Sequence, residues 1–274
     1  MLTVDNLRVS FPTRAGRVDA VRGVSFDLGR EKLGIVGESG SGKSTVGRAI
    51  LGLLPPPAAV TADRLAFEGS DLLRASRSRW RQLRGRRIGM ILQDPKYSLN
   101  PVMRVGAQIE ECLRDLSGRA ARRRVRDLLT DVRIRDPDRV AHAYPHELSG
   151  GMGQRVMIAM MLAGEPDLLI ADEPTSALDV TVQLQVLAIL DDLVTQRGMG
   201  LIFISHDLEL VATFCDRVAI MYAGRMVEAL PAAELHAASH PYTRGLLGCL
   251  PSLDRPQERL PVLVRDPAWL DGHP

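Results

Sequence analysis

Gly37-Glu38-Ser39-Gly40-Ser41-Gly42-Lys43-Ser44-Thr45 is the stretch on which the reading of this chain turns. It follows the short apolar run Leu33–Val36, of strand length, and leads into Val46–Leu54, whose pattern is helical and which Pro55, Pro56 and Pro57 close. Strand, glycine loop and helix in that order aim a row of backbone N–H groups at one point on a helix N-terminus, where the helix dipole also favours negative charge. Gly37, Gly40 and Gly42 let that backbone close around phosphate oxygens. Lysine occurs only as Lys32, Lys43 and Lys96 in a chain that otherwise uses arginine. A compact point charge at Lys43 suits the β- and γ-phosphates of a nucleotide better than a planar guanidinium does, and the Ser44 hydroxyl is placed for Mg²⁺. A Gly/Ser linker matching by chance would lack the flanking strand and helix.

Further along, the apolar strand Leu168–Ala171 runs into Asp172 and Glu173. An acid pair at a strand end is by itself an ordinary polar terminus. After a phosphate loop it resembles the Walker B element of P-loop NTPases, which implies that Asp172 holds Mg²⁺, directly or through water, and that Glu173 orients and deprotonates the attacking water. Leu148-Ser149-Gly150-Gly151-Met152 then precedes a helical pattern through Ala163. A Ser N-cap followed by two glycines presents bare N–H groups and a hydroxyl at another helix start, again a phosphate-binding surface. One nucleotide does not need two such surfaces from one chain.

The surplus has a counterpart in a known family. Leu148–Met152 is similar to the signature motif of the ABC ATPases, and the two segments above resemble that family's Walker elements. The resemblance implies that Ser149, Gly150 and Gly151 grip the γ-phosphate of ATP bound to another subunit, so that two ATP molecules are sandwiched between two chains. It implies that Gln93, after the strand-like Ile88–Leu92, touches Mg²⁺ and senses a membrane partner, and that Ser176-Ala177-Leu178-Asp179 joins the two active sites. His206, after the apolar run Leu201–Ile204, resembles the histidine that contacts the γ-phosphate, although a lone histidine is more often structural. Phe11 stands where the family stacks an aromatic on adenine; it lacks the hydroxyl of the usual tyrosine and in isolation reads as a core strand residue. The catalytic set is then Glu173, His206 and Gln93. The ATP-binding set is Phe11, Gly37, Glu38, Ser39, Gly40, Ser41, Gly42, Lys43, Ser44, Thr45, Ser149, Gly150, Gly151 and Asp179, with Ser44, Gln93 and Asp172 on Mg²⁺.

The implied fold class is α/β: a P-loop NTPase core of the ABC ATPase type with an N-terminal antiparallel β-subdomain, from the β-like segments Leu2–Phe11 and Val18–Leu28, and an inserted α-helical subdomain. Within one domain spanning 1–274, residues 1–94 and 144–230 are expected to form a RecA-like core with the β-subdomain. Residues 95–143, with helical patterns at Val105–Leu116 and Arg122–Val132, form the helical subdomain, the signature at 148–152 lies at its end, and 231–274 is a C-terminal extension. ATP closure would rotate the helical subdomain and move a transmembrane pathway through a coupling helix.

Gln93-Asp94-Pro95, Ser98-Leu99-Asn100-Pro101, Met152 and His240-Pro241-Tyr242-Thr243 resemble the peptide and nickel importer branch. That branch implies a second, paralogous ATPase subunit in a heterodimer, two permease subunits and, indirectly, an extracytoplasmic solute-binding protein, at the cytoplasmic face of a bacterial inner membrane. Two departures stand out. The tail after Cys249 has no cysteine, where many peptide-importing members carry a cluster for an iron–sulfur centre, which leans toward nickel or metallophore members. Gly153 replaces a basic residue, at a cost of about 1 kcal/mol in helix propensity and the loss of a charge near the nucleotide interface.

Composition bounds these readings. The chain has 274 residues, 45% hydrophobic and 25% charged with a net charge of +2, enough for one large α/β domain and unlike a disordered or fibrous chain. No stretch approaches the roughly 20 apolar residues of a membrane span, and no leader pattern precedes Leu2, so a cytoplasmic protein is expected. Cys112, Cys215 and Cys249 are too scattered for a metal knuckle or disulfide framework and read as core thiols. The Arg-rich stretches Arg74–Arg87 and Arg119–Arg126 offer only Trp80 for stacking, so solvated helix faces are expected rather than a nucleic-acid surface. A non-transport ABC ATPase of DNA repair would need a long coiled coil between loop and signature, where only about 100 residues lie without sustained heptads. A translation factor would carry two nucleotide domains, and a regulatory module would not retain Lys43, Asp172, Glu173 and His206 together.

Overall fold

A computed structural model of the chain describes residues 1–176 and 178–249 together with Leu263, Asp266 and Trp269. It divides into two compact units, one of Met1–Arg74 with the chain from Phe203 onward, the other of Ala75–Ile202.

The first unit opens with a long hairpin, β1 (Leu2–Thr13) and β2 (Gly16–Leu28). Leu2 and Val4 are buried on one phase of the alternation and Leu7 and Val9 on the other. Asn6, at φ 49, absorbs the change in a bulge where the β1–β2 register shifts, so both apolar pairs keep to the core. After β3 (Lys32–Val36) and α1 (Lys43–Ile50) come β4 (Ala59–Thr61), β5 (Arg64–Phe67) and β6 (Ser70–Asp71). β4 and β5 add to β1 and β6 to β5, all antiparallel, giving the N-terminal antiparallel sheet that was expected.

The expected helix Val46–Leu54 is displaced toward the loop. Its start moves to Lys43 because Gly42 turns the chain at φ 100. Its end moves to Ile50 because Gly52, at φ 58, closes a Schellman motif: Gly52 N–H donates to Ala49 O (2.9 Å) and Leu53 N–H to Arg48 O (2.8 Å). The prolines lie beyond a stop already made by glycine.

The second unit runs α2 (Arg77–Leu83), β7 (Ile88–Ile91), α3 (Pro95–Ser98), α4 (Val105–Cys112), α5 (Gly118–Asp131), α6 (Pro137–His142), α7 (Gly150–Leu162), β8 (Leu168–Asp172) and α8 (Val180–Arg197). β9 (Gly200–Ser205) carries the chain back into the first unit. β7 and β8 pair in parallel from Ile88↔Leu168 to Ile91↔Ala171, and every residue of β8 is buried, as an apolar run in a parallel sheet requires. Residues 95–143 hold α3 to α6. The predicted Val105–Leu116 helix stops at Cys112. Buried Gln108 draws the preceding loop onto α4, accepting from Asn100 N–H (2.8 Å) and donating to Asn100 O (3.0 Å) and Met103 O (2.9 Å).

The Arg-rich helices are solvated as expected: Arg77 and Arg81 on α2 and Arg119, Arg122, Arg123 and Arg126 on α5 are exposed. Arg126 pairs with Asp138 (2.7 Å) and Arg86 with Asp115 (3.1 Å), surface pairs of small energetic weight. Trp80 is taken by the Arg84 guanidinium, 4.5 Å from its ring.

The chain returns through α9 (Leu208–Phe214), β10 (Arg217–Tyr222), β11 (Arg225–Pro231) and α10 (Pro241–Gly248). β10 lies parallel to β3 and antiparallel to β11. Of the three cysteines only Cys215 belongs to the core, and burial pushes its thiol up to about 12; Cys112 and Cys249 are half-buried, against the expectation of three core thiols. No helix among the described residues is long and apolar enough to cross a membrane.

Candidate nucleotide site

The glycine loop joins β3 to α1. Gly37 lies at φ 153 and Gly42 at φ 100; a Cβ on the first would fall 2.1 Å from Met221 O and on the second 2.4 Å from Ala20 O, so only glycine fits either place. Gly224 N–H donates to Ser41 O (3.0 Å) and Ser41 N–H to Glu38 O (3.2 Å), which hold the loop's back. At its front Gly42 gives α1 no side-chain cap, and the first turn has no acid. Lys43 is only 5% exposed, its ammonium donating to Gly37 O (2.8 Å) and Glu38 O (2.9 Å). The buried Ser41 hydroxyl oxygen has no hydrogen-bond partner, and Ser39 and Gly40 are exposed. An uncapped helix start, a lysine and an unsatisfied hydroxyl form a donor set that fits a polyphosphate.

Phe11 lies opposite Val18 toward the turn of the first hairpin and is half-buried, not a core residue. His206, directly after β9, is exposed, and Asp207 beside it caps α9 by accepting Leu210 N–H (2.9 Å).

In the second unit β8 ends on the buried Asp172 and delivers Glu173 at φ 48, its carbonyl accepting Ser176 N–H (3.3 Å) and Oγ–H (3.2 Å). Gln93 donates its side-chain amide to the Glu173 carboxylate at 3.2 Å, so the two residues assigned from separate motifs meet. Ser149 caps α7 by accepting Met152 N–H (3.3 Å). Ser149 and Gly150 stay exposed, and a Cβ on Gly150 would meet nothing nearer than Leu178 at 3.9 Å. Gly151 has a different reason: a Cβ there would lie 2.3 Å from Val182 Cγ1 on α8. Asp179 caps α8 through Val182 N–H (3.0 Å); Ala177 of the same loop lies outside the described residues.

Two features escaped sequence reading. Gly153 is buried and faces Pro95, which a Cβ would touch at 3.4 Å. The charge expected at its position would therefore have entered a packed helix face. Beside it Gln154, 1% exposed with its amide nitrogen unpartnered, borders a cavity of about 550 Å³ with Gln93, Leu99, Ser149 and Leu178. No local pattern marks either.

A glycine loop between strand and helix, an acid pair at the end of a parallel strand and a second bare helix start define a nucleotide hydrolase of the P-loop class. The comparisons narrow this. Residues 21–176 match the ABC transporter family model. The dipeptide transport ATP-binding protein DppD of Bacillus subtilis is 50% identical over 260 residues, 93% of this chain and 78% of that protein. DppD of Escherichia coli is 47% identical over 268 residues, 96% of this chain and 82% of its own. Among solved structures, the dimeric post-hydrolysis state of the ATP-binding cassette MJ0796 bound to ADP and Pi superposes with a TM-score of 0.76 at 25% identity, covering 85% of this chain and 99% of that one. The chain belongs to the ABC transporter family, as an ATP-binding, ATP-hydrolysing subunit coupled to transport.

Proposed function

We propose that the chain powers the import of peptides, its ATP held between its own glycine loop and the Ser149–Gly151 helix start of a second ATPase subunit. The observation that carries this is the exposed, capped but unoccluded start of α7, a second phosphate surface inside a chain whose first is complete. Peptides are favoured because the relatives covering nine-tenths or more of this chain are dipeptide and oligopeptide transport subunits.

Each residue then has a task. The backbone N–H groups of the glycine loop and the Lys43 ammonium bind the phosphates. Ser44, Asp172 and Gln93 would hold Mg²⁺, which when bound offsets charge on the β- and γ-phosphates. Glu173 accepts a proton from the attacking water, and the Gln93 amide fixes its carboxylate. His206 contacts the γ-phosphate and Phe11 offers its partly exposed ring to adenine. The partners are a paralogous ATPase subunit and two permeases at the cytoplasmic face of the membrane, with a solute-binding protein acting through the permeases.

The test is ATPase activity of the reconstituted complex, with binding protein loaded with dipeptides or with nickel chelates. Stimulation by dipeptides is expected and should vanish with Lys43→Ala. Stimulation by nickel chelates alone would replace the substrate, and no stimulation by either would remove the import reading.

A further inference from the structure

The His240-Pro241-Tyr242-Thr243 segment has no part in the chemistry above. His240 Nδ1 accepts Tyr242 N–H (3.2 Å) and caps α10, with Pro241 in its first turn. Glu228 on β11 accepts the N–H groups of Ser239 (2.7 Å) and His240 (3.2 Å). Burial pushes the Glu228 carboxyl up, but the neighbouring Thr243 side chain and the hydrogen bonds from Ser239 and His240 outweigh it and hold the group below its usual range. This charged anchor sets where α10 begins and so where Tyr242 lies. Tyr242 is 0% exposed, its ring packed on Tyr222 (4.5 Å between centroids) and Trp269 (5.8 Å).

The Tyr242 hydroxyl accepts the N–H of Glu38 at 3.3 Å, across 204 positions of sequence. That N–H and the carbonyl of Gly37 belong to one planar peptide group, and the carbonyl accepts the Lys43 ammonium at 2.8 Å. Tyr242 and Lys43 thus hold opposite edges of a single plane, and turning the plane would loosen both bonds. Resting on the nucleotide-binding reading, we propose that Tyr242 is a positioning residue for Lys43: its hydroxyl fixes the Gly37–Glu38 peptide plane, whose carbonyl places the ammonium. It acts through the loop and touches no reacting atom.

Tyr242→Phe keeps the ring and removes the hydroxyl. In the full chain, equilibrium binding of a fluorescent ATP analogue should weaken about three- to tenfold, the loss of one hydrogen bond. With the partner subunits, KM for ATP should rise by the same factor while kcat changes less than about twofold. The nucleotide-free thermal midpoint should move by less than about 3 °C, whereas Tyr242→Ala, which empties the aromatic cluster, should lower it much further. Tyr222→Phe, a hydroxyl deletion in the same cluster, should leave ATP binding unchanged. Unaltered ATP binding in Tyr242→Phe overturns the proposal. So does an equal weakening in Tyr222→Phe, or a midpoint loss in Tyr242→Phe as large as in Tyr242→Ala, which would make the hydroxyl structural. A wild-type chain that binds no Mg-ATP would instead remove the nucleotide reading on which the proposal stands.

Discussion

Ser41 is 4% exposed with its hydroxyl oxygen unpartnered, an arrangement that costs stability unless a ligand completes it. Removing the hydroxyl should therefore separate folding from binding. Ser41→Ala is predicted to leave the nucleotide-free thermal midpoint unchanged or slightly raised, by up to about 1 kcal/mol in stability, while weakening ATP binding; thermal melts paired with nucleotide titration check both halves. A lower midpoint with unaltered affinity would make Ser41 a packing residue. Lys43, Asp172, Glu173 and Ser149 could be singled out in the sequence because each sits in a short segment whose residue types and order point to one chemistry. Tyr242 was seen only as a marker, since its bond to Glu38 joins residues that no periodicity connects. Phe11 read alone as core, and the structure instead leaves it half-buried toward the hairpin turn.

At the scale of elements, two of the three glycines of α7 have opposite reasons. Gly151 makes room for Val182, whose branched side chain has little freedom to move; Gly153 faces Pro95 at a distance a methyl group tolerates. Gly151→Ala should destabilise the chain by about 1–2 kcal/mol through crowding. Gly153→Ala should stabilise it by about 0.5–1 kcal/mol through helix propensity. Urea unfolding of the two variants checks the difference in sign, and destabilisation by both would mean that Pro95 cannot accommodate the methyl. Helix existence was readable from apolar period, but helix ends were not. α1 ends at Ile50 through a Schellman closure on Gly52, three residues before the prolines. The helix after Val105 stops at Cys112, short of the predicted Leu116. Such ends are set by single hydrogen bonds to particular carbonyls, and these leave no trace in hydrophobic spacing.

For the whole molecule the question is what completes the exposed start of α7. Ser149 spends its hydroxyl on its own helix cap, and a Cβ on Gly150 would meet no described side chain nearer than Leu178 at 3.9 Å. That exposed helix start can receive phosphate oxygens from a second chain. If Glu173 is the base, Glu173→Gln binds ATP but stalls the step that separates the chains. Mixed with the paralogous ATPase subunit, this variant should run on size-exclusion chromatography with light scattering as a dimer with Mg-ATP and as separate monomers without it. Adding Ser149→Arg should abolish the dimer while leaving ATP binding through Lys43 intact in the monomer. In an equimolar mixture of the wild-type subunits, hydrolysis at low concentration should rise more steeply than linearly with protein, because each site borrows part of its surface from a partner. A Glu173→Gln chain that does not join its paralogous subunit at any ATP concentration, with turnover of the wild-type mixture strictly proportional to protein, would show that the α7 surface serves something else.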